Sequence, residues 1–304
     1  MFHKGPMQYL EYHIRLSTWL ILQQADIICA IDTDTILPVY FVSQLKGTRR
    51  VFDAHEYFSE LKEVVTRPHI QRWWKKIERF AIPKFPVGYT VGQEIAGIFR
   101  KEYGVNYAVI RNVPYKQILP PQITTRKKAI IYQGAINAAR GLEYLIPAMQ
   151  KVPGELHIYG AGNFEGACTE LVEKLHLQEK VRFFGMVSPI ELQEITLTYK
   201  IGINLVEAIG LNQYFSLANK FFDYIQAGVP QVTMNFPEYA RINAKAPVAL
   251  LLDDLGIEGI AQALNLLLED VVLYEQLVTN CAVLRDVYCW ELEKNSLLQI
   301  YEKL

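Results

Sequence analysis

The chain has 304 residues, 51% of them hydrophobic and 21% charged, with a net charge of −1. That composition excludes a disordered or fibrous chain and supplies apolar material for two cores. Charge is unevenly spread: residues 1–116 carry 16 Lys/Arg against 11 Asp/Glu, and residues 117–304 carry 15 against 21. The asymmetry predicts two domains, one of them facing an anionic partner.

In chain order, a helix is expected over Tyr9–Gln23, then short strands at Asp26–Ile31, Arg50–Phe52, Tyr89–Val91 and Ala108–Ile110. Helical patterns lie between them around Leu37–Leu45, Ile70–Phe80 and Glu94–Tyr103. This βαβα rhythm predicts a parallel sheet with helices on both faces. Residues 111–128 hold three prolines and end in a basic cluster, which predicts a linker. The rhythm then restarts with strands Ala129–Tyr132, Leu156–Tyr159, Val181–Phe184, Ile201–Leu205 and Pro230–Met234. Helices are expected from Gly141, over Cys168–Leu175, over Asn219–Ala227 and over Ile257–Leu268. Pro147 is expected to kink the first of these. Cys289–Leu304 predicts an amphipathic helix, with Trp290, Leu297, Leu298 and Tyr301 on one face.

Cys29, Cys168, Cys281 and Cys289 lack CxxC or Cys/His spacing, so neither a disulfide framework nor a structural zinc is expected. Free thiols fit a reducing compartment. No apolar run reaches the ~20 residues needed to span a bilayer, and no leader pattern is visible. The expected location is cytoplasmic.

In a parallel α/β sheet, ligands bind outside the carboxyl ends of the strands. Gly134, Gly160, Gly162 and Gly210 all follow strands, where glycine permits tight turns or close backbone approach to an anion. Gly160-Ala-Gly162 does not complete a dinucleotide fingerprint, which leaves a nicotinamide dehydrogenase poorly supported. Ser216 or Asn219 is expected to cap the helix that carries Lys220 and Asp223, three apart on one face. Those two suit phosphate and sugar hydroxyls; the alternative is a surface ion pair. His55 and Glu56 follow the second strand, Asp32 and Asp34 the first, and acidic groups with a histidine there suit a hydroxyl-rich substrate. The segment Arg67–Lys84 interleaves six cations with Trp73, Trp74, Ile77, Phe80 and Ile82. It predicts either a helix lying on an anionic membrane or a solvated helix with its aromatics in the core. Nucleic acid is not an expected partner.

Four segments resemble the GT-B glycosyltransferases of the GT4 (glycosyl transferases group 1) type. They are Val51-Phe-Asp-Ala-His-Glu56, Val109-Ile-Arg-Asn-Val-Pro114, Tyr132–Gly134 with Arg140-Gly141-Leu142, and Asn219–Tyr224 with Gly228-Val-Pro230. The resemblance implies two doubly wound Rossmann-like domains facing across a cleft. These are an acceptor-side domain over 1–116, a donor-binding domain over 117–288, and a crossover helix over 289–304 that packs back on the first domain. It implies a retaining hexosyltransferase that uses a nucleotide-diphosphate sugar, needs no metal, and acts on a glycan or glycolipid in polysaccharide biosynthesis; an expected place at the inner membrane face rests on Arg67–Lys84 alone. Arg140 would neutralise the donor diphosphate, Asp223 would hold the ribose, and Lys220 with the amides of Ser216–Asn219 would lie near the phosphates. Gly134, Gly160, Gly162 and Glu207 complete the expected donor set; His55, Glu56 and Asp34 form the expected catalytic set. Ala135 and Phe215 stand where the family often has Arg and Glu, and Asp223 replaces a Glu. The family opens with a strand, loop and helix, so a βαβ-sized unit is expected to be missing in front. Alternative readings are a non-catalytic glycosyltransferase-like binding subunit and a GT-B sugar-nucleotide epimerase.

Overall fold

The structure, a computed structural model, describes residues 6–118 and 126–304. The chain divides into two compact α/β units. The first runs to Arg111 and also takes in Ile209–Ser216 and Asn295–Leu304; the second comprises Asn112–Ala208 and Leu217–Lys294.

The first unit begins with α1 (Pro6–Leu22), β1 (Ile27–Ile31), α2 (Thr33–Lys46), β2 (Arg49–Ala54) and α3 (Lys62–Val65). It continues with α4 (Pro68–Ala81), β3 (Gly88–Thr90), α5 (Gln93–Tyr103) and β4 (Ala108–Val109). The four strands form one parallel sheet in the order β1-β2-β3-β4. The rings of Phe52, Phe85, Phe99 and Tyr107 pack together in tilted and edge-to-face pairs, each fully or nearly fully buried. α4 carries a carboxylate into this core. Glu78 is completely covered, and accepts from the Ser59 amide at 2.9 Å and the Tyr103 hydroxyl at 2.8 Å. Burial pushes its pKa up.

The second unit follows as β5 (Lys127–Gln133), α6 (Leu142–Ala148), β6 (Glu155–Tyr159), α7 (Glu165–Lys174), β7 (Val181–Gly185), α8 (Pro189–Leu197) and β8 (Tyr199–Asn204). The short α9 (Leu211–Tyr214) lies in the segment that folds with the first unit. Then come α10 (Asn219–Ala227), β9 (Gln231–Met234), α11 (Pro237–Asn243), β10 (Ala249–Leu252), α12 (Ile257–Glu269) and α13 (Val271–Arg285), and last α14 (Trp290–Glu302), which from Asn295 onward is counted with the first unit. The six strands are all parallel, in the order β10-β9-β8-β5-β6-β7. The chain winds outward from β5 to β7 and then returns to β8 on the other side of β5. Such a reversal opens a crevice at the carboxyl ends of the two strands that flank it.

α10 is held along its length. The Tyr224 hydroxyl lies 3.2 Å from the carbonyls of both Ile131 and Ile203, bonding the helix to β5 and β8. Gly228 ends the helix in the left-handed conformation, φ 65°. The Arg126 guanidinium donates to the carbonyls of Ala227, at 2.9 Å, and Gly228. A cation there meets the negative end of the helix dipole.

Several expectations need correction. β5 starts at Lys127, so the predicted linker 111–128 runs two residues into a strand, while 119–125 lie outside the described residues. Pro147 sits in the last turn of α6, where the chain tightens into a 3-10 turn at Met149–Lys151, so it ends the helix and does not kink it. On α14 the most buried position is Glu293, and Leu298 stays half exposed, so Leu298 is not on the packed face. Among the described residues no helix is long and apolar enough to cross a membrane.

Candidate functional site

In the second unit the carboxyl end of β5 gathers the chemistry. β5 ends at Gln133, and the chain turns sharply through Gly134, φ 125°. The turn nests against the end of β6: a Cβ on Gly160, φ 144°, would lie 1.9 Å from the Gly134 carbonyl oxygen. The Gly134 amide in turn donates to the Tyr159 carbonyl at 2.9 Å. Only glycines permit two backbones this close. Gly162 is pressed in the same way against the Ile136 carbonyl. Gly134, Gly160 and Gly162 therefore shape one floor.

Lys220, in the first turn of α10, reaches over this floor. Its ammonium lies 4.0 Å from the centre of the Tyr132 ring, and 3.4 Å from where a Cβ on Gly134 would sit. It makes no hydrogen bond or salt bridge with any described residue. Burial, with the Arg140 guanidinium next in weight, pushes its pKa down to about 7, and Asp223 opposes the shift. Two cations with low mutual tolerance at one strand end want an anion between them.

Asp223 lies one turn further along α10. Burial raises its carboxyl to about 6, against the pull of a hydrogen bond from Gln133 and the charge of Lys220. Gln133 Nε2 donates to Asp223 Oδ2 at 2.9 Å, and Thr196 Oγ1 donates to Gln133 Oε1 at 3.0 Å. Sequence reasoning assigned no role to Gln133 or Thr196. Gln133 was visible as a polar residue ending an otherwise apolar strand; Thr196, on α8, carried no signal. The surface ion pair read from spacing alone is not what forms, because both side chains are mostly buried.

Glu207 follows β8. It accepts from the Tyr144 hydroxyl at 3.2 Å, and its amide donates to the Ala139 carbonyl at 3.0 Å. This ties the β8 end to the loop carrying Arg140. Neither Ser216 nor Asn219 caps α10. The cap position is Ala218, with no side-chain cap; its amide donates to the Tyr239 hydroxyl at 3.0 Å. Asn219 is exposed as the first helical residue. Ser216 clusters by contact with the first unit. Gly210 goes with it.

The first unit has its own polar group, at the carboxyl ends of β1 and β2. His55 Nε2 lies 3.0 Å from Asp53 Oδ2, and this bond is the main reason its pKa is raised. Glu56 pairs with the Asn212 amide, and Asn212 Oδ1 accepts from the Tyr57 amide at 2.8 Å. Asp34 sits in the first turn of α2; burial raises its carboxyl, and its carbonyl bonds His13 Nε2 at 2.7 Å. Between these lies Asp32, outside the expected catalytic set. Its backbone is strained, with φ 56° and ψ 171°, a region other residues avoid. Hydrogen bonds hold it there: its amide donates to the Asp53 carbonyl at 2.8 Å, its Oδ1 accepts from the Glu56 amide at 3.1 Å, and its carbonyl accepts from the Thr35 amide and hydroxyl. Burial lifts its carboxyl to about 6. The signal in sequence was an acid directly after an apolar strand.

Comparison with known proteins was made on both sequence and fold. Residues 116–282 match the family model described as glycosyl transferases group 1. Among curated proteins no match is found. HepE of Anabaena, solved with UDP, aligns with a TM-score of 0.79 at 13% identity, over 97% of this chain and 82% of its own. A Rickettsia africae glycosyltransferase aligns at 0.76 and 14%, over 100% and 83%. TarM of S. aureus, as a mutant solved with fondaparinux, an α-GlcNAc-glycerol and UDP, aligns at 0.73 and 16%; the match covers 94% of this chain but only 58% of TarM. At these identities the likeness carries the fold: α/β of the GT-B type, built from two Rossmann-like domains.

Proposed function

Because the chain belongs to the glycosyl transferases group 1 family, we propose that it moves a sugar from a nucleotide-diphosphate donor, held by the second unit, to a hydroxyl of a glycan or glycolipid held by the first. One observation carries the reading. Lys220, mostly buried and unpaired, stands with Arg140 over a glycine floor at the crevice beside β5. The HepE and TarM structures each contain UDP, which supports a uridine or related nucleotide here.

In this reading the diphosphate lies over Gly134 between Lys220 and Arg140, at the amino end of α10. Asp223, oriented by Gln133, accepts from the ribose hydroxyls, and Glu207 faces the donor sugar. The bond between the anomeric carbon and the diphosphate oxygen breaks, and the acceptor oxygen bonds to that carbon. The acceptor proton leaves with a diphosphate oxygen. Charge grows on the departing diphosphate, so fixed cations and helix amides aimed at it lower the barrier without a metal. The family resemblance supports retention at the anomeric carbon. Asp32, Asp34, His55 and Glu56 are the acceptor-side groups, suited to orienting hydroxyls. The exposed face of α4, which carries Arg72, Lys76 and Arg79 beside Trp73 and Phe80, supports peripheral contact with an anionic membrane on the cytoplasmic side.

A thermal-shift screen with UDP, GDP, ADP and their sugar conjugates tests the donor site, because a ligand bound only to the folded state raises Tm. A shift with one nucleotide, lost in Arg140→Ala and Lys220→Met, is expected. No shift with any nucleotide, in protein that melts cooperatively, rejects the donor site. A shift without sugar transfer to any acceptor favours the non-catalytic binding subunit, and a new nucleotide sugar formed without acceptor favours an epimerase. The anomeric configuration of the product, read by NMR, decides retention.

A further inference from the structure

The loop that joins β5 to α6 holds one residue in a conformation its side chain disfavours. Ala139 has a φ of 69° and is 2% exposed. In that left-handed region a Cβ crowds the backbone. Gly141, two residues on, has a φ of 78°, and a Cβ on it would lie 2.4 Å from the Leu205 Cβ. Arg140 stands between these two, outside any helix or strand. The direction in which its side chain leaves the backbone is therefore set by the loop. A strained residue of this kind keeps its place only where its surroundings over-determine it.

Two hydrogen bonds do so here. The Ala139 amide donates to Glu143 Oε1 at 2.8 Å, and the Ala139 carbonyl accepts from the Glu207 amide at 3.0 Å. Glu143 lies in the first turn of α6 and reaches back to the loop that precedes it. Its neighbour Tyr144 donates to the Glu207 carboxylate at 3.2 Å. The first turn of α6 thus grips both sides of the contact between the loop and the end of β8. Glu143 Oε2 is buried and has no hydrogen-bond partner among the described residues. An unmet buried oxygen costs stability, so folding alone does not account for an acid at this position. Arg140 and Glu143 both act on the Tyr132 hydroxyl: burial raises its pKa, Arg140 lowers it and Glu143 raises it. The two form no ion pair with each other, which leaves the guanidinium available to a ligand.

We propose that Glu143 is a positioning residue for Arg140: by holding Ala139 in the left-handed conformation, it fixes the backbone from which the guanidinium reaches the donor diphosphate. The inference rests on the donor-site reading above and adds to it a residue that acts through the loop and not on the ligand. A bare negative charge at this place would repel a diphosphate. The hydrogen bond to the Ala139 amide, and not the charge, is the contribution.

Calorimetry of the full chain with UDP, run beside GDP and ADP, tests it. Glu143→Ala is expected to weaken nucleotide affinity roughly fivefold. Glu143→Asp, one methylene short of the Ala139 amide, is expected to do the same and serves where the alanine variant does not fold. Glu143→Gln keeps an oxygen for that amide while removing the charge, and is expected to bind as the wild type does. Adding Ala139→Gly to Glu143→Ala is expected to restore much of the affinity, because glycine takes the left-handed turn without the bond. In an Arg140→Ala background, Glu143→Ala is expected to change affinity no further, since its effect runs through that side chain. An equal loss with and without Arg140 overturns the proposal and makes Glu143 a merely structural cap. Unchanged affinity in both Glu143→Ala and Glu143→Asp, with Arg140→Ala still weakened, overturns it and leaves the donor site standing. Tighter binding in both Glu143→Ala and Glu143→Gln overturns it in favour of a repelling charge. No binding of any of the three nucleotides by the wild-type chain overturns both readings.

Discussion

Gln133 holds Asp223: its Nε2 donates to the Asp223 carboxylate at 2.9 Å while its Oε1 accepts from Thr196 at 3.0 Å. The amide therefore bridges the acid on α10 to the Thr196 hydroxyl on α8, which also bonds the Leu192 carbonyl at 2.6 Å. Gln133→Leu frees the buried carboxylate, while the Thr196 hydroxyl keeps its bond to the Leu192 carbonyl. The expected result is about 1–3 kcal/mol lost in chemical denaturation, and nucleotide affinity lower by about tenfold in calorimetry. Thr196→Val is expected to do less of each.

On the proposed reading, Lys220 makes nucleotide binding depend on pH. Its folded pKa is lowered to about 7, so the unliganded protein has released most of this proton at pH 8. A diphosphate restores the charged form, so binding takes up a proton. Affinity is therefore expected to fall above pH 7, by up to about tenfold per unit. Calorimetry at pH 8 in buffers of different ionisation enthalpy should show net uptake, and Lys220→Met should show none.

The same group shapes stability in the opposite sense. Between about pH 7 and 10.5 the unfolded chain holds the Lys220 proton and the folded chain does not. More protons on the unfolded side mean that this contribution rises with pH. Urea titrations across that window are expected to show Lys220→Met losing the upward component.

Glu78 acts on the acidic side. Its folded pKa is raised by burial, so the folded state keeps the proton after the unfolded state has lost it. Stability from this group is present at low pH and declines as pH rises above 4.5. Glu78→Gln is expected to flatten that decline while keeping the bond from the Ser59 amide. Glu78→Ala, which also leaves a void and an unmet Tyr103 hydroxyl, is expected to cost about 2–4 kcal/mol.

Gly160→Ala is the sharpest test of the donor floor. The added Cβ meets the Gly134 carbonyl at 1.9 Å in a backbone conformation that alanine avoids. The expected loss is about 3 kcal/mol or more in folding free energy, together with loss of any nucleotide-induced Tm shift. Gly97→Ala, on the exposed side of α5 with open space around it, is the matched control and should be neutral or stabilising.

Much of the fold was legible because its signals are local. The bounds of α10 follow from the cap region before Asn219 and from Gly228-Val-Pro230 after it, and those residues act within one turn. β5 was readable as an apolar run. β10 and α11 were not assigned. The four residues of β10 lie in the apolar run Val248–Leu252, which periodicity cannot place in a helix or a strand. α13 carries apolar residues on several sides, with Val271, Val272 and Val283 exposed, so no single stripe marks it. At the site, Lys220, Asp223 and the glycines were found from strand ends and spacing. Gln133 and Thr196 were not, since they meet only when β5 and α8 are packed together. The resemblance puts the Ser216 amide near the donor phosphates, and nothing local in the sequence shows that Ile209–Ser216 clusters with the first unit. Asn212 shows the same thing, bonding Tyr57 from 155 positions away.

Arg126 grips the far end of the helix that carries Lys220 and Asp223, and the Tyr224 hydroxyl ties its middle to two strands. Fraying from the carboxyl terminus, the usual route by which a nine-residue helix exchanges its amides, is closed. The amides of α10 should therefore be among the last in the second unit to take up deuterium, exchanging only when the whole sheet opens. The turn that carries Lys220 thus stands on a helix anchored at its middle and far end.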